Sequence, residues 1–96
     1  LKDGDWSVGF QSRLDSKWVQ PFSDMRIEEL AKAGCKKLLV VSPAFVADCL
    51  ETVIEIGEEY AELFQEHGGE ELHLVPSLND APVWVRAVSE LIRRAV

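Results

Sequence analysis

Residues 48–66 read DCLETVIEIGEEYAELFQE and form the longest helical pattern in the chain. Asp48 is a suitable first residue for this helix, and Gly68–Gly69 predict its end. On an ideal α-helical wheel, apolar or small side chains gather on one side and predict the buried face. This set is Leu50, Val53, Ile54, Gly57, Ala61 and Phe64.

The opposite side of the helix is acidic, since residues 48–67 contain six glutamates and Asp48 but no Lys or Arg. Glu51, Glu55 and Glu59 follow one another at i, i+4 and i+8, where like charges destabilise a helix by about 0.2–0.5 kcal/mol per pair. Carboxylate oxygens suit hard divalent cations, so one interpretation is a row of weak cation sites. The other is an ordinary solvated acidic face.

Short apolar segments flank this helix on both sides and predict strands. The run Leu38–Val41 is continuously apolar, which is typical of a strand buried on both faces of a parallel sheet. Leu72, Leu74 and Val75 predict a second strand, and the alternation over Trp6–Phe10 predicts a third.

Two further helices complete the predicted order β-α-β-α-β-α. One is capped by residues 23–24 and ends at Gly34. The other is capped by residues 79–80, has Pro82 in its first turn, and carries its basic residues near its end. The fold class is therefore α/β, a parallel open sheet with flanking helices.

Composition narrows the class of protein. The 96 residues carry a net charge of −7, which disfavours nucleic-acid backbones and anionic membrane surfaces as partners. No apolar run approaches the roughly 18 residues of a membrane span. Two cysteines make neither a disulfide framework nor a zinc site, so we expect a reducing, cytoplasmic setting. Because residue 1 is leucine, we expect a piece of a longer protein.

Three segments resemble ferrochelatases, which insert ferrous iron into a porphyrin in haem biosynthesis. The first is SPAFVADCLET at residues 42–52, followed by Glu55–Ile56. The second is GFQSR at residues 9–13 with WVQP at 18–21, and the third is PSLNDAP at 76–82. The resemblance implies that residues 1–96 are the C-terminal domain of a chelatase-like two-domain fold, with the N-terminal domain absent. It leaves protoporphyrin and coproporphyrin equally open as the substrate.

The resemblance also assigns roles to residues. Glu51 matches the family's essential glutamate, which makes it the candidate catalytic residue and inner metal ligand. Glu55 and Glu59 match further metal-binding carboxylates along the same helix, which contains a π-type stretch in family members. Trp18 and Arg13 match the porphyrin side of the cleft. Simple packing and a solvated arginine are the alternative interpretations for these last two.

The remaining expectations concern ligands and partners. Ferrous iron and porphyrin are implied as substrates, with no tightly bound cofactor and no iron–sulfur cluster, since the cluster cysteines of some members are missing. Cys49 replaces a histidine of some members, and we interpret it as a buried apolar residue rather than a soft metal ligand. His67 at a helix end and His73 on a strand lie outside the family's histidine motif.

Two alternatives to a ferrochelatase stay open. One is a cobalt- or nickel-inserting tetrapyrrole chelatase of the same superfamily, although such enzymes use histidine-rich sites. The other is a non-catalytic module whose acidic helix docks a basic protein surface. If the chain belongs to either kind of chelatase, it lacks half of the cleft when isolated, so we expect little catalysis and some self-association.

Overall fold

The helices and strands alternate along the chain in the computed structural model, which describes residues 2, 4–11, 17 and 19–96. The prediction of an α/β fold is confirmed. In chain order the elements are helix α1 (Ser23–Lys32), strand β1 (Lys37–Val40), a π-helix (Glu51–Tyr60), helix α2 (Ala61–Glu66), strand β2 (Glu71–Leu74) and helix α3 (Pro82–Ala95).

The described part of the chain contains one two-stranded parallel sheet, in which β1 pairs with β2 from Lys37↔Glu71 to Val40↔Leu74. The π-helix and α2 form the crossover that parallel strands require. One face of the sheet packs on the core, whereas Leu39 on the other face is 65% exposed. The expectation that the first apolar run is buried on both faces is therefore wrong, because in the described part of the chain helices cover one face of the sheet.

The strand predicted at Trp6–Phe10 is also wrong. Phe10 makes a single parallel bridge to Phe22, through a hydrogen bond from its own amide to the carbonyl of Pro21 and one from the amide of Ser23 to its carbonyl. The ladder cannot extend, because Pro21 has no N–H to donate and α1 begins at Ser23. The alternating pattern therefore produces one bridge instead of a strand.

Glycines end both helices that precede the strands, as predicted. After α1, the amide of Gly34 donates to the carbonyl of Ala31 (3.1 Å), and the amide of Cys35 donates to that of Leu30 (3.0 Å). This pair of bonds is a Schellman motif, which needs a left-handed residue; Gly34 has φ of 99°. Gly68 after α2 has φ of 106° and ends that helix in the same way.

The predicted N-terminal caps are wrong. Phe22 and Ala81 occupy the capping positions of α1 and α3, and neither provides a side-chain hydrogen bond. The first turn of α3 has one fewer backbone N–H that lacks an acceptor, because Pro82 is its first residue and carries no N–H. Oδ1 of Asp24 instead accepts from the amide of the next residue, Met25 (2.8 Å).

Helix α3 is the least packed element. It is amphipathic and ends in Arg93 and Arg94 as predicted, but none of its residues is buried. Leu91 and Ile92 are 61% and 59% exposed. Within the described ranges, no helix combines the length and the apolar character that crossing a bilayer demands.

Two glycine substitutions test the packing around α2. A Cβ on Gly69 would lie 2.3 Å from the ring of Phe64, which is fully buried. Gly69→Ala should therefore lower the free energy of unfolding by about 1–3 kcal/mol, the usual cost of overpacking. A Cβ on Gly57 would lie 3.6 Å from the carbonyl oxygen of Thr52, an ordinary contact, so Gly57→Ala is the matched control. Denaturant unfolding of both variants gives the comparison, and equal stabilities would contradict it.

Candidate functional site

The acidic helix begins as a π-helix over Glu51–Tyr60, which confirms the π-type stretch that the family resemblance implies. Its buried side chains are Thr52, Ile56 and Tyr60, and Phe64 of α2 continues the series. We call these four residues the core stripe. They recur at every fourth position. Ile56, Tyr60 and Phe64 pack in one cluster with α1 and the sheet, which places the helix on the covered face.

The ideal α-helical wheel identified the buried face incorrectly. Leu50 is 70% exposed and Val53 is 47% exposed, although the wheel placed both inside. The wheel assumes 3.6 residues per turn, whereas i→i+5 bonding in a π-helix widens each turn. Of the predicted apolar set, Phe64 is fully buried, and it lies in the α-helical part.

The three predicted metal ligands share one face of the π-helix. Glu51, Glu55 and Glu59 each directly precede a member of the core stripe, so they follow the same four-residue spacing. Glu51 and Glu59 are exposed, and Glu55 is half-buried. Among the described residues, no group of three or more His, Cys, Asp or Glu is placed to hold one metal ion together. The four-residue spacing makes the three carboxylates a row along the helix.

Glu51 is held at the first turn by its surroundings. The Cys49 thiol and the amide of Glu51 donate hydrogen bonds to the Glu51 carboxylate and lower its pKa. From the preceding segment, the side-chain amide of Gln11 donates to the carbonyl of Glu51. Cys49 itself is half-buried rather than buried as expected. Glu51 is ionised near neutral pH, the form that binds a cation.

A hydrogen-bonded pair fixes the start of this helix, and the sequence analysis missed it. The amide of Asp48 donates to Oδ1 of Asn79 (2.8 Å), and Nδ2 of Asn79 donates to Oδ2 of Asp48 (2.9 Å). We call this pair the Asp48–Asn79 clasp. Oδ1 of Asp48 also accepts from the amide of Ser77 (3.2 Å) and the hydroxyl of Thr52 (3.1 Å). These donors, Asn79 first, lower the pKa of the Asp48 carboxyl.

Parallel strand pairing explains why the clasp can form. Since β1 and β2 run in the same direction, the loops that follow them leave the sheet at one edge. The amide of Val75 donates to the carbonyl of Val40, and the amide of Asn79 donates to that of Val46. Asn79 lies in the left-handed region with φ of 51°, which asparagine tolerates better than most residues. The sequence could have indicated this contact, because the loops that follow two neighbouring parallel strands are expected to lie side by side.

A second unpredicted contact involves the glutamate row itself. The hydroxyl of buried Tyr60 donates to Oε1 of Glu55 over 2.7 Å. The two histidines have no part in the row. His73 is exposed on β2, and His67 at the end of α2 contacts the carbonyl of Leu63 and, at 3.0 Å, a carboxylate oxygen of Glu28.

The predicted porphyrin contacts, Trp18 and Arg13, lie outside the described residues. The described neighbours of this region include Gln11, which reaches the first turn of the π-helix.

Comparisons with known proteins agree on one family. The family model for ferrochelatase matches residues 1–96. Ferrochelatases of Pseudomonas fluorescens strain Pf0-1 and Pseudomonas putida strain W619 are each 58% identical over 96 residues. Ferrochelatase of Pseudomonas syringae pv. tomato is 57% identical over the same length. Each alignment covers 99% of this chain but 28% of the relative, so the chain spans just over a quarter of their length.

The clasp predicts how the Asp48 carboxyl titrates. Its lowered pKa stabilises the fold above the ordinary value of 3.8, and this contribution is lost as pH falls through the lower folded pKa. Asn79→Gly keeps the left-handed backbone but removes the largest cause, so the pKa of Asp48 should rise toward 3.8. A carboxyl-carbon NMR titration measures it. An unchanged Asp48 titration in the variant would show that Asn79 does not cause the shift.

Proposed function

The chain belongs to the ferrochelatase family, and from this premise we propose that it forms the metal-delivering side of a site that inserts ferrous iron into a porphyrin. The observation that carries the proposal is the row of Glu51, Glu55 and Glu59 on one face of the π-helix. A helix with an unbroken carboxylate face and no Lys or Arg at residues 48–67 is suited to divalent cations.

Metal insertion requires two operations that carboxylates can perform. The divalent ion must exchange its water for other oxygen ligands, and the porphyrin must lose two pyrrole protons as four metal–nitrogen bonds form. Glu59 and Glu55 are proposed to exchange the ion along the row. Glu51 is proposed to bind the ion last and to release it to the macrocycle nitrogens. It then accepts the two pyrrole protons one after the other and passes each to water.

The environment of Glu51 determines when it can accept these protons. The Cys49 thiol and the helix amide hold its pKa low in this structure. An apolar macrocycle placed against the first turn would remove water from the carboxylate and raise its pKa. Glu51 would therefore act as a metal ligand before porphyrin binds and as a base afterwards.

The domain role of the chain, its porphyrin contacts and its pathway are parts of the same proposal. Residues 1–96 act as the C-terminal domain, and the remaining length of the relatives supplies the other wall of the cleft. Trp18 and Arg13 contact the porphyrin, which is protoporphyrin or coproporphyrin, and the reaction serves haem biosynthesis in the cytoplasm. Neither a resident cofactor nor an iron–sulfur cluster is needed for the steps above.

The alternative chelatase is less well supported by the described residues. A cobalt- or nickel-inserting enzyme would use clustered histidines, but His67 contacts Glu28 and His73 is exposed on the sheet. A module that docks a basic surface has no specific observation in its favour. Family membership and the glutamate row both favour the ferrochelatase hypothesis.

Glu51→Gln tests the proposed function in a chimera, in which this chain replaces the matching residues of the Pseudomonas fluorescens ferrochelatase. The substitution removes the ligand charge and the proton acceptor together, so kcat should fall by about 10²- to 10⁴-fold. Metalloporphyrin formation with ferrous iron or zinc, followed by absorbance, is the measurement. Glu58→Gln is the matched control, since Glu58 is exposed and outside the row, and it should keep the parent rate.

A chimera that retains its rate with Glu51→Gln would refute the role of Glu51. An equal loss in both variants would indicate that only the total negative charge of the helix matters. Either result would contradict the separate roles proposed for the three glutamates of the row.

The isolated chain should self-associate through the uncovered apolar face of α3. Leu91 is 61% exposed on that face, and Arg93 lies on the opposite side of the helix. Sedimentation velocity over a range of concentrations should show association that Leu91→Gln weakens and Arg93→Gln does not. A monomer at every concentration would contradict the expectation.

A further inference from the structure

We propose that Tyr60 is a positioning residue for metal transfer, and that its hydroxyl restricts Glu55 to binding the ion through one oxygen. The inference rests on the proposed function, because it concerns a carboxylate of the same row. Its basis is the contact of 2.7 Å between the Tyr60 hydroxyl and Oε1 of Glu55, in which the hydroxyl donates.

The π-helix is what brings these two side chains together. In an α-helix, residues five apart point about 140° away from each other, so they do not meet. In a π-helix the i→i+5 hydrogen bonds place them on successive turns, one above the other. Glu55 and Tyr60 have this spacing, and both lie within Glu51–Tyr60.

The packing of Tyr60 holds its hydroxyl in place. Tyr60 is 7% exposed and lies in the core cluster with Ile56, Phe64 and two residues of α1. A ring packed on several sides has few rotamers available, so its hydroxyl points in a fixed direction. Glu55 is half-buried beside it, whereas Glu51 and Glu59 are exposed. The middle carboxylate of the row is therefore restrained by a side chain of the core.

The chemical consequence follows from the number of free oxygens. A carboxylate can bind a divalent ion through one oxygen or through both, and two-oxygen binding holds the ion more firmly. With Oε1 accepting from Tyr60, Glu55 offers Oε2 to the metal. A middle position that binds weakly passes the ion on, and one that binds strongly retains it.

The test uses the chimera with Tyr60→Phe, which keeps the ring and removes the donor. Freed from the hydroxyl, Glu55 should bind the ion more tightly. The KM for zinc and kcat should then both fall by about three- to tenfold, the range that one hydrogen bond provides. Calorimetric titration with zinc should show tighter binding by a similar factor, which gives a readout independent of catalysis.

Two further variants separate positioning from a structural effect. In a Glu55→Gln background, Tyr60→Phe should change neither constant further, because the two residues act as one pair. Ile56→Val is the packing control, since it trims the same core without touching Glu55. It should lower the thermal unfolding midpoint and leave the KM for zinc unchanged.

Several outcomes would overturn the proposal. They are unchanged constants in Tyr60→Phe, a raised KM with a lowered kcat, and an effect that persists in the Glu55→Gln background. The proposed function fails separately, if the chimera keeps its full rate with Glu51→Gln. Loss of activity in that variant together with an inert Tyr60→Phe would leave the proposed function in place and remove only the role of Tyr60.

Discussion

The core side chains of the acidic helix recur at every fourth residue from Thr52 to Phe64, and this spacing constrains everything attached to the helix. In an α-helix each four-residue step rotates a side chain by about 40°, so four such residues would spread around about 120° of the surface. The wider turns of the π-helix offset that rotation before α2 resumes the ordinary pitch. Glu51, Glu55 and Glu59 inherit the same alignment, one position earlier.

The parts of the fold that depend on local chemistry could be predicted from the sequence. Gly34 and Gly68 end their helices because both positions require positive φ. The strand order follows from short apolar runs separated by a long helix. The number of strands and their burial could not be predicted, because they depend on neighbours. Pro21 and the start of α1 restrict Phe10 to one bridge, and Leu39 remains exposed where no helix covers the sheet.

The candidate site also has features that could be predicted from the sequence and features that could not. The glutamate row is visible in the sequence as an unbroken acidic pattern, and family resemblance singles out Glu51. Its supporting contacts are not visible, because each depends on backbone geometry. Tyr60 meets Glu55 only in a π-helix, and Asn79 meets Asp48 only where two parallel strands end at one edge. The α-helical wheel, which assumes a regular period, identified the wrong buried face for this reason.

The sparse packing of α3 has a consequence for how the molecule opens. None of its residues is buried, and the Asp48–Asn79 clasp and the core stripe both lie before its first residue, Pro82. The hydrogen bonds of the clasp join Asp48 and Asn79 and involve no residue of α3, so transient unfolding of α3 need not break them. Its amide hydrogens should exchange with solvent through local opening, while those of the core-facing π-helix should require a larger, cooperative unfolding event. We therefore expect α3 to behave as a low-stability unit in the isolated chain.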